Sequence, residues 1–288
     1  MRKIVHENTR HGIQFHVFNH THLGLIFRDD AFRTLLYGEK VKGYIKAIRA
    51  DRKIDLSLQK HARDTKEDLA EKITKNLEIS PETFLALLKD SAYIRKFGFE
   101  EATVMGMFIP NTYEIWWNTS AENLFDRMYK EYGNFWTEAR LEKAKNLGLT
   151  QNEVSALASI VQAETQKADE RPKVAGVYLN RLRINMALQA DPTLVFAVGD
   201  FNLKRVLNVH KEIDSPYNTY KYPGLPPGPI NLPEISALEA VLNYEDHDYL
   251  YFCAKEDFSG YHAFAKDYNE HMNNARRYQA ALNRSKIY

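Results

Sequence analysis

Glu164 is the residue whose place in the sequence best suits acid–base chemistry. Val154, Leu157 and Val161 precede it at helical spacing, so the four side chains share one face of a helix. The apolar members predict that this face packs on the core and buries the Glu164 carboxyl. Burial raises the pKa of a carboxyl group, and such a group is a competent general acid near neutral pH. The alternative is a solvated Glu164 at a frayed helix end, with the apolar face ending at Val161.

A group of polar residues follows this helix. Asn180 and Arg181 lie in an apolar stretch that begins at Val174, and Gln189 and Asp191 come shortly after it. These four polar side chains are candidates for binding a sugar or a peptide. The alternative for Arg181 and Asp191 is a structural ion pair.

A proline-rich loop over residues 215–230 supplies further candidates. Tyr217, Asn218, Thr219 and Tyr220 lie in it, between Pro216 and the later Pro-Pro-Gly-Pro stretch. An ordered loop with tyrosine and asparagine side chains suits carbohydrate, which proteins recognise by ring stacking and hydrogen bonds. A structural Ω-loop is the alternative.

The elements that must position these residues predict an α+β fold. Strand patterns fill residues 13–58, and helical spacing of apolar residues replaces them from about residue 65. Thr150 and Glu153 form a capping box at the start of the helix that carries Glu164. We therefore predict a small β-rich unit, a helical subdomain, and a mixed catalytic domain of helices, loops and strands, at residues 1–62, 63–148 and 149–288.

Composition excludes several classes of protein. The 288 residues carry 39 Lys and Arg against 38 Asp and Glu, so bulk charge favours neither nucleic acid nor membrane as a partner. The single cysteine, Cys253, excludes an intrachain disulfide. There is no P-loop or dinucleotide-binding glycine motif. We expect no transmembrane helix, no signal peptide and no metal site.

Five sequence blocks taken in order resemble the endolytic murein transglycosylases, the MltG/YceG-like family. The resemblance covers residues from about 66 to 288. The blocks are Ala158-Ser159-Ile160-Val161-Gln162-Ala163-Glu164-Thr165, Asn180-Arg181-Leu182 with Gln189-Ala190-Asp191-Pro192-Thr193, Ser215-Pro216-Tyr217-Asn218-Thr219-Tyr220 with Gly224-Leu225-Pro226-Pro227-Gly228-Pro229, Tyr249-Leu250-Tyr251-Phe252, and His262-Ala263-Phe264.

This resemblance implies a substrate and a catalytic residue. The family cleaves the β-1,4 bond between N-acetylmuramic acid and N-acetylglucosamine within peptidoglycan glycan strands, and Glu164 occupies the place of its catalytic glutamate. The resemblance implies no cofactor. It also implies wall-synthesis enzymes as partners and the outer face of the cytoplasmic membrane, in the bacterial cell envelope, as the location.

The sequence departs from the family pattern in places. Met105-Gly106 stands before the Phe108-to-Tyr113 motif where many relatives carry Glu-Gly, and Ile230-Asn231-Leu232-Pro233 lacks the usual glycine. The relatives' membrane anchor and most of their LysM-like module find no counterpart in the sequence. A remnant of that module would lie within residues 63–148, and a soluble form is therefore an alternative to an anchored one.

The N-terminal block resembles a different family, the OB-fold RNA-binding repeats of CvfB-like bacterial proteins. The resemblance rests on residues 24–27, 32–33, 43–49 and 53–58. In it Phe32 and Tyr44 could stack on bases, and Lys46 and Arg49 could contact phosphates. A solvated strand face is the alternative. The rival function is therefore a nucleic-acid-binding protein on an inactive glycan-binding scaffold.

Overall fold

The computed structural model describes residues 5–8, 13–16, 53–58, 65–203 and 205–285. The chain divides into two compact units. The smaller comprises Met1–Lys53 and Trp116–Asn118, and its described part includes an antiparallel hairpin of β1 (Val5–Asn8) and β2 (Ile13–His16). The OB-like module predicted for residues 1–62 lies largely outside the described residues and stays a prediction.

The larger unit is mixed helix and strand, which confirms the predicted α+β class. Two small sheets are described, β3 (Lys53–Ser57) with β4 (Thr112–Trp116), and β5 (Tyr251–Ala254) antiparallel to β6 (His262–Ala265). Its helices before the candidate site are α1 (Lys66–Thr74), α2 (Pro81–Lys89), α3 (Ser91–Arg95), α4 (Ala121–Phe135) and α5 (Glu138–Asn146). Those around it are α6 (Gln151–Glu164), α7 (Arg171–Arg183), α8 (Asp191–Val198), α9 (Ile235–Leu242) and α10 (Tyr268–Arg284).

Capping residues place several helix starts where the sequence predicts them. Ser80 accepts a hydrogen bond from the Thr83 amide at the start of α2, and Pro81 occupies the first helical position. A 3₁₀ helix at Val104–Met107 precedes β4, and its four residues are buried in the core.

Helix α6 lies at the centre of the larger unit and packs against α5, α7 and α9. The Thr150–Glu153 capping box predicted from the sequence is formed at its start. All residues from Val154 to Gln162 are buried, so the helix is enclosed on every side rather than along one stripe. Small side chains such as Ala158 and Ser159 allow this close approach of neighbouring elements. The helix therefore holds the backbone of Glu164, its last residue, rigidly in place.

Two polar side chains of α6 dock the segment at residues 230–234. The Ile230 amide donates to Ser159 Oγ at 3.0 Å. Gln162 Nε2 donates to the Leu232 carbonyl at 3.0 Å, and Gln162 Oε1 accepts from the Glu234 amide at 2.8 Å. Both side chains are buried, so these bonds satisfy polar groups that would otherwise destabilise the core.

Gly228 makes the closest backbone approach in the proline-rich loop. A Cβ added there would lie 1.9 Å from the carbonyl oxygen of Ala102. We expect Gly228→Ala to destabilise the protein by about 1–3 kcal/mol or more, because backbone must move to relieve the clash. Thermal unfolding would measure this. The same change at Gly133, where the added atom meets nothing within 4 Å, should leave the melting temperature unchanged or raise it; equal effects at the two sites would contradict the packing.

Candidate active site

Glu164 ends the buried helix α6, as the apolar face predicts. Val154, Leu157 and Val161 are fully buried, and Glu164 continues their row into a half-buried position. Burial of the carboxyl raises the pKa of Glu164 to about 7. A hydrogen bond from Tyr178 and the charge of Arg181 oppose this rise, whereas the charge of Asp191 adds to it. The carboxyl is therefore available in both protonation states near neutral pH.

Tyr178 is the direct partner of the carboxyl. Its hydroxyl donates to Glu164 Oε1 at 2.8 Å, and its side chain is only 1% exposed. Val174, Tyr178 and Arg181 lie at helical spacing on one buried face of α7, which packs against α6. The hydroxyl therefore engages one of the two carboxyl oxygens of Glu164.

Arg181 joins the elements around the carboxyl. Its Nε donates to the Leu250 carbonyl at 2.7 Å and its Nη1 to the Leu188 carbonyl at 2.6 Å. The side chain is only 7% exposed, yet its charge still acts on Glu164. The suggested ion pair with Asp191 is not formed between these two described residues. Arg181 instead ties α7 to the start of β5 and to the segment before α8.

Asn180 makes a second link from α7. Its Nδ2 donates to the carbonyls of His247 at 2.6 Å and Tyr249 at 3.1 Å, and its Oδ1 accepts from Arg183. Nearby, a Cβ added at Gly176 would lie 2.5 Å from the Glu245 carbonyl, so α7 touches this segment closely. Asn180 thus fixes the chain that leads into β5.

Asp191 and Gln189 lie where the proline-rich loop meets α8. Tyr220 donates to Asp191 Oδ1 at 2.5 Å, and Asp191 itself is exposed. Gln189 is exposed in a left-handed backbone conformation with φ of 52°, and its amide donates to the Thr219 carbonyl. The structure therefore joins Asp191 to Tyr220 by a hydrogen bond, and the charge of Asp191 contributes to the raised pKa of Glu164.

Asn218 and Thr219 shape the loop from within. Asn218 is fully buried, donates to the Lys211 and Ile213 carbonyls, and accepts from the Tyr220 and Lys221 amides. Thr219 Oγ1 accepts from the Ala190 amide at 3.0 Å. These side chains are occupied by the protein itself, so they hold Tyr220 towards Asp191.

Tyr217 packs inward on the same loop. Its ring centroid lies 4.6 Å from that of Phe196 in α8. Burial raises the pKa of its hydroxyl. Tyr217 therefore packs the loop against α8, whereas Tyr220 is the loop tyrosine that donates to Asp191.

A buried network anchors the chain just after Glu164. Thr165 Oγ1 donates to Glu170 Oε2 at 3.1 Å, and Glu170 Oε1 accepts from the His262 amide at 2.8 Å. His262 Nδ1 lies 2.7 Å from Glu170 Oε2. Thr165 and Glu170 are both buried. The network ties the end of α6 to β6 and so fixes the backbone of Glu164.

Replacing Glu170 by Ala should loosen this anchor. We expect a loss of about 2–4 kcal/mol in stability, because buried hydrogen bonds to a charged group are lost and their donors are left unpaired. Chemical denaturation measures this loss. Glu245→Ala, which removes an exposed carboxylate paired with Lys173, is the control and should change stability by less than about 1 kcal/mol. Equal losses in the two variants would contradict the anchor.

Sequence reasoning missed Tyr178 and Tyr251 as parts of this site. Tyr178 is the only hydroxyl in the apolar run from Val174 to Leu179, and that was the available signal. Tyr251 lies with its ring centroid 5.4 Å from the Arg181 guanidinium carbon. Only the pairing of β5 with β6 and its packing on α10 bring it there.

The nucleic-acid candidates Phe32, Tyr44, Lys46 and Arg49 lie outside the described residues. Among the residues that are described, no three His, Cys, Asp or Glu side chains are grouped to hold a metal ion. None of the described helices combines the length and apolarity needed to cross a membrane.

The chain matches the family model of the YceG-like family over residues 34–277, and it belongs to this family. The match begins further towards the N-terminus than residue 66, where the resemblance begins. It therefore includes part of the block that also resembles an OB-fold repeat.

Two curated relatives are endolytic murein transglycosylases. The one from Bacillus subtilis (strain 168) is 38% identical over 166 residues, which are 58% of this chain and 45% of that protein. The one from Streptococcus pneumoniae serotype 2 (strain D39) is 33% identical over 199 residues, 61% of this chain and 35% of that protein. The matched region is thus less than half the length of these relatives.

A solved structure supports the fold. The crystal structure of a yceG-like protein from Listeria monocytogenes superposes with a TM-score of 0.65 at 28% identity. The match covers 76% of this chain and 75% of that one. The mixed helix and strand architecture is therefore that of the family.

Proposed function

We propose that this chain is a lytic transglycosylase that cleaves the β-1,4 bond between N-acetylmuramic acid and N-acetylglucosamine within peptidoglycan glycan strands. Glu164 is its general acid and then its general base. The observation that carries the proposal is a half-buried carboxyl at the end of a buried helix, with its pKa raised to about 7. The names of the two relatives support murein as the substrate.

The reaction begins with proton donation from Glu164 to the glycosidic oxygen. Because burial raises the pKa of Glu164 to about 7, the protonated acid is available under neutral conditions. The bond between the anomeric carbon and that oxygen breaks, and N-acetylglucosamine leaves with its 4-hydroxyl restored. Tyr178 holds Oε1 during this step, so Oε2 carries the proton.

The reaction ends inside the muramic acid residue. The Glu164 carboxylate takes the proton of the 6-hydroxyl, whose oxygen forms a bond to the anomeric carbon. The product is a 1,6-anhydro sugar, water is neither consumed nor released, and Glu164 regains its proton. One carboxyl thus serves twice, whereas a hydrolase needs two carboxyl groups in different roles.

Asp191 is the carboxylate to be considered as a second catalytic group, against the single-carboxyl mechanism. It is the other carboxylate whose charge acts on Glu164, but it is exposed and accepts a hydrogen bond from Tyr220. We infer that Asp191 and Tyr220 position the glycan, with Gln189 beside them. Asn180, Arg181, Tyr217, Asn218 and Thr219 maintain the shape of the site through the contacts described above.

Purified glycan strands provide the test. The chain should shorten them, and Asp191→Asn should retain cleavage at a reduced rate with the same product ends. Loss of all cleavage in Asp191→Asn, with Glu164 unchanged and the protein folded, would favour a two-carboxyl hydrolase. Absence of cleavage by the folded wild-type chain would overturn the proposal. The proposed envelope location follows from the proposed substrate, so evidence against peptidoglycan as substrate is also evidence against this location.

A further inference from the structure

Three aromatic rings meet where β5 approaches the start of α10. The centroids of Tyr251 and His271 are 5.3 Å apart with the rings 25° from parallel. Tyr268 lies 6.1 Å from Tyr251 and 6.3 Å from His271. Tyr251 and His271 are half-buried, whereas Tyr268 is 60% exposed. The ring of Tyr268 is therefore exposed to solvent, and the half-buried rings of Tyr251 and His271 pack against it.

This aromatic cluster adjoins the candidate active site. The Arg181 guanidinium carbon lies 5.4 Å from the Tyr251 ring centroid, and the charge of Arg181 acts on Glu164. Arg181 is therefore the side chain that links the cluster to the surroundings of Glu164.

The ligand that suits such a ring beside Glu164 is another sugar of the same strand. A glycan cut in its interior continues past the cleaved bond, so sugars on both sides need protein surface. The axial C–H bonds of a sugar ring form a weakly positive apolar face, which complements the negative face of an aromatic ring. Asp191 belongs to α8 and Tyr220 to the proline-rich loop, whereas the cluster belongs to β5 and α10.

We propose that Tyr268, supported by Tyr251 and His271, forms a saccharide subsite that binds a sugar of the glycan strand away from the cleaved bond. The inference rests on the proposed function, which supplies the glycan as ligand. It predicts that Tyr268 contributes to binding of long strands and not to the chemistry at the cleaved bond.

The aromatic pair Phe258 and Tyr278 gives a matched control. Tyr278 lies further along α10, and its ring centroid is 6.1 Å from that of Phe258, which is 45% exposed. Like the cluster, this pair consists of aromatic rings, and Tyr278 is on the same helix as Tyr268. Phe258→Ala therefore reports the effect of removing an exposed ring without touching the aromatic cluster.

The test measures binding in a chain that carries Glu164→Gln, so that the ligand is not consumed. The probes are uncrosslinked soluble glycan fragments in a short and a long size class. Tyr268→Ala should weaken binding of the long class about five- to tenfold and leave the short class unchanged. Tyr268→Phe should retain the affinity, since it keeps the ring.

Three results would overturn the subsite. They are unchanged affinity in Tyr268→Ala, an equal loss in Phe258→Ala, and no binding of the long fragments by the parent chain. The proposed function is separable, since it is measured as cleavage by the wild-type chain. If that chain binds long glycan through Tyr268 but never cleaves it, the subsite stands and the transglycosylase function fails.

Discussion

Glu164→Gln is expected to lower the rate of glycan cleavage by about a thousandfold or more. Removal of a general acid alone costs roughly 10²–10⁴ in rate, and here the same group also acts as the base. Gln is close in size and accepts the Tyr178 hydrogen bond, so the site should keep its shape. Initial rates on purified glycan strands measure the loss.

The same variant should be more stable than the wild type above neutral pH. The pKa of Glu164 is about 7 in the folded protein against 4.5 for the ordinary group, so the folded state disfavours the carboxylate. The wild type therefore loses stability as pH rises from about 4.5 to 7, up to roughly 3 kcal/mol, and the loss stays constant above that. Gln carries no such cost. Unfolding at about pH 5 and pH 8 should show a much larger gain at the higher pH.

Glu153→Gln is the control at the other end of the same helix. Gln can still accept from the Thr150 amide in the capping box, so the change removes only a negative charge near the helix N-terminus; it should cost about 0.3–1 kcal/mol of stability and leave cleavage unchanged. A Glu164→Gln variant that cleaves at near the wild-type rate would contradict the role of the carboxyl. A variant that gains no stability at high pH would contradict its burial.

Tyr178→Phe is expected to slow cleavage by about ten- to a hundredfold and to shift its pH profile. The hydroxyl donates to the Glu164 carboxylate and lowers its pKa, so its removal raises that pKa further. Because the acid must be protonated, activity falls as pH rises through the pKa of Glu164. The basic limb of kcat/KM should therefore move to higher pH in the variant.

The loss of rate expected in Tyr178→Phe has a positional cause as well as an electrostatic one. Without the hydroxyl, Oε1 loses its partner and the carboxyl is free to rotate away from the glycosidic oxygen. Tyr132→Phe, which removes a buried hydroxyl in α4, is the control and should leave the profile unchanged. An unshifted basic limb in Tyr178→Phe would show that another group sets the pH dependence.

Periodicity and capping predicted the helix of Glu164 and the burial of its carboxyl. Thr150, Glu153 and the apolar face from Val154 to Val161 are local signals, and the structure confirms them. Burial of the whole helix was not predictable in this way. Ser159 and Gln162 are polar, and both hydrogen bond to the distant segment at residues 230–234.

The surroundings of the carboxyl depend on contacts between residues far apart in the chain. Arg181 donates to Leu250, and Glu170 bonds to His262, across some seventy to ninety positions. No spacing rule reaches that far, so the sequence left Arg181 open between a substrate ligand and an ion-pair partner. Asn218 is similar, because its four hydrogen bonds within the loop follow from the fold of the loop and not from its residue type.

The most direct test of the account is glycan cleavage in water enriched in oxygen-18. A transglycosylase consumes no water, so the new ends should be 1,6-anhydro sugars without the label. Their mass should be lower by one water than that of hydrolysed ends. Label at new reducing ends, produced by the wild-type chain and lost in Glu164→Gln, would show hydrolysis and contradict the single-carboxyl mechanism.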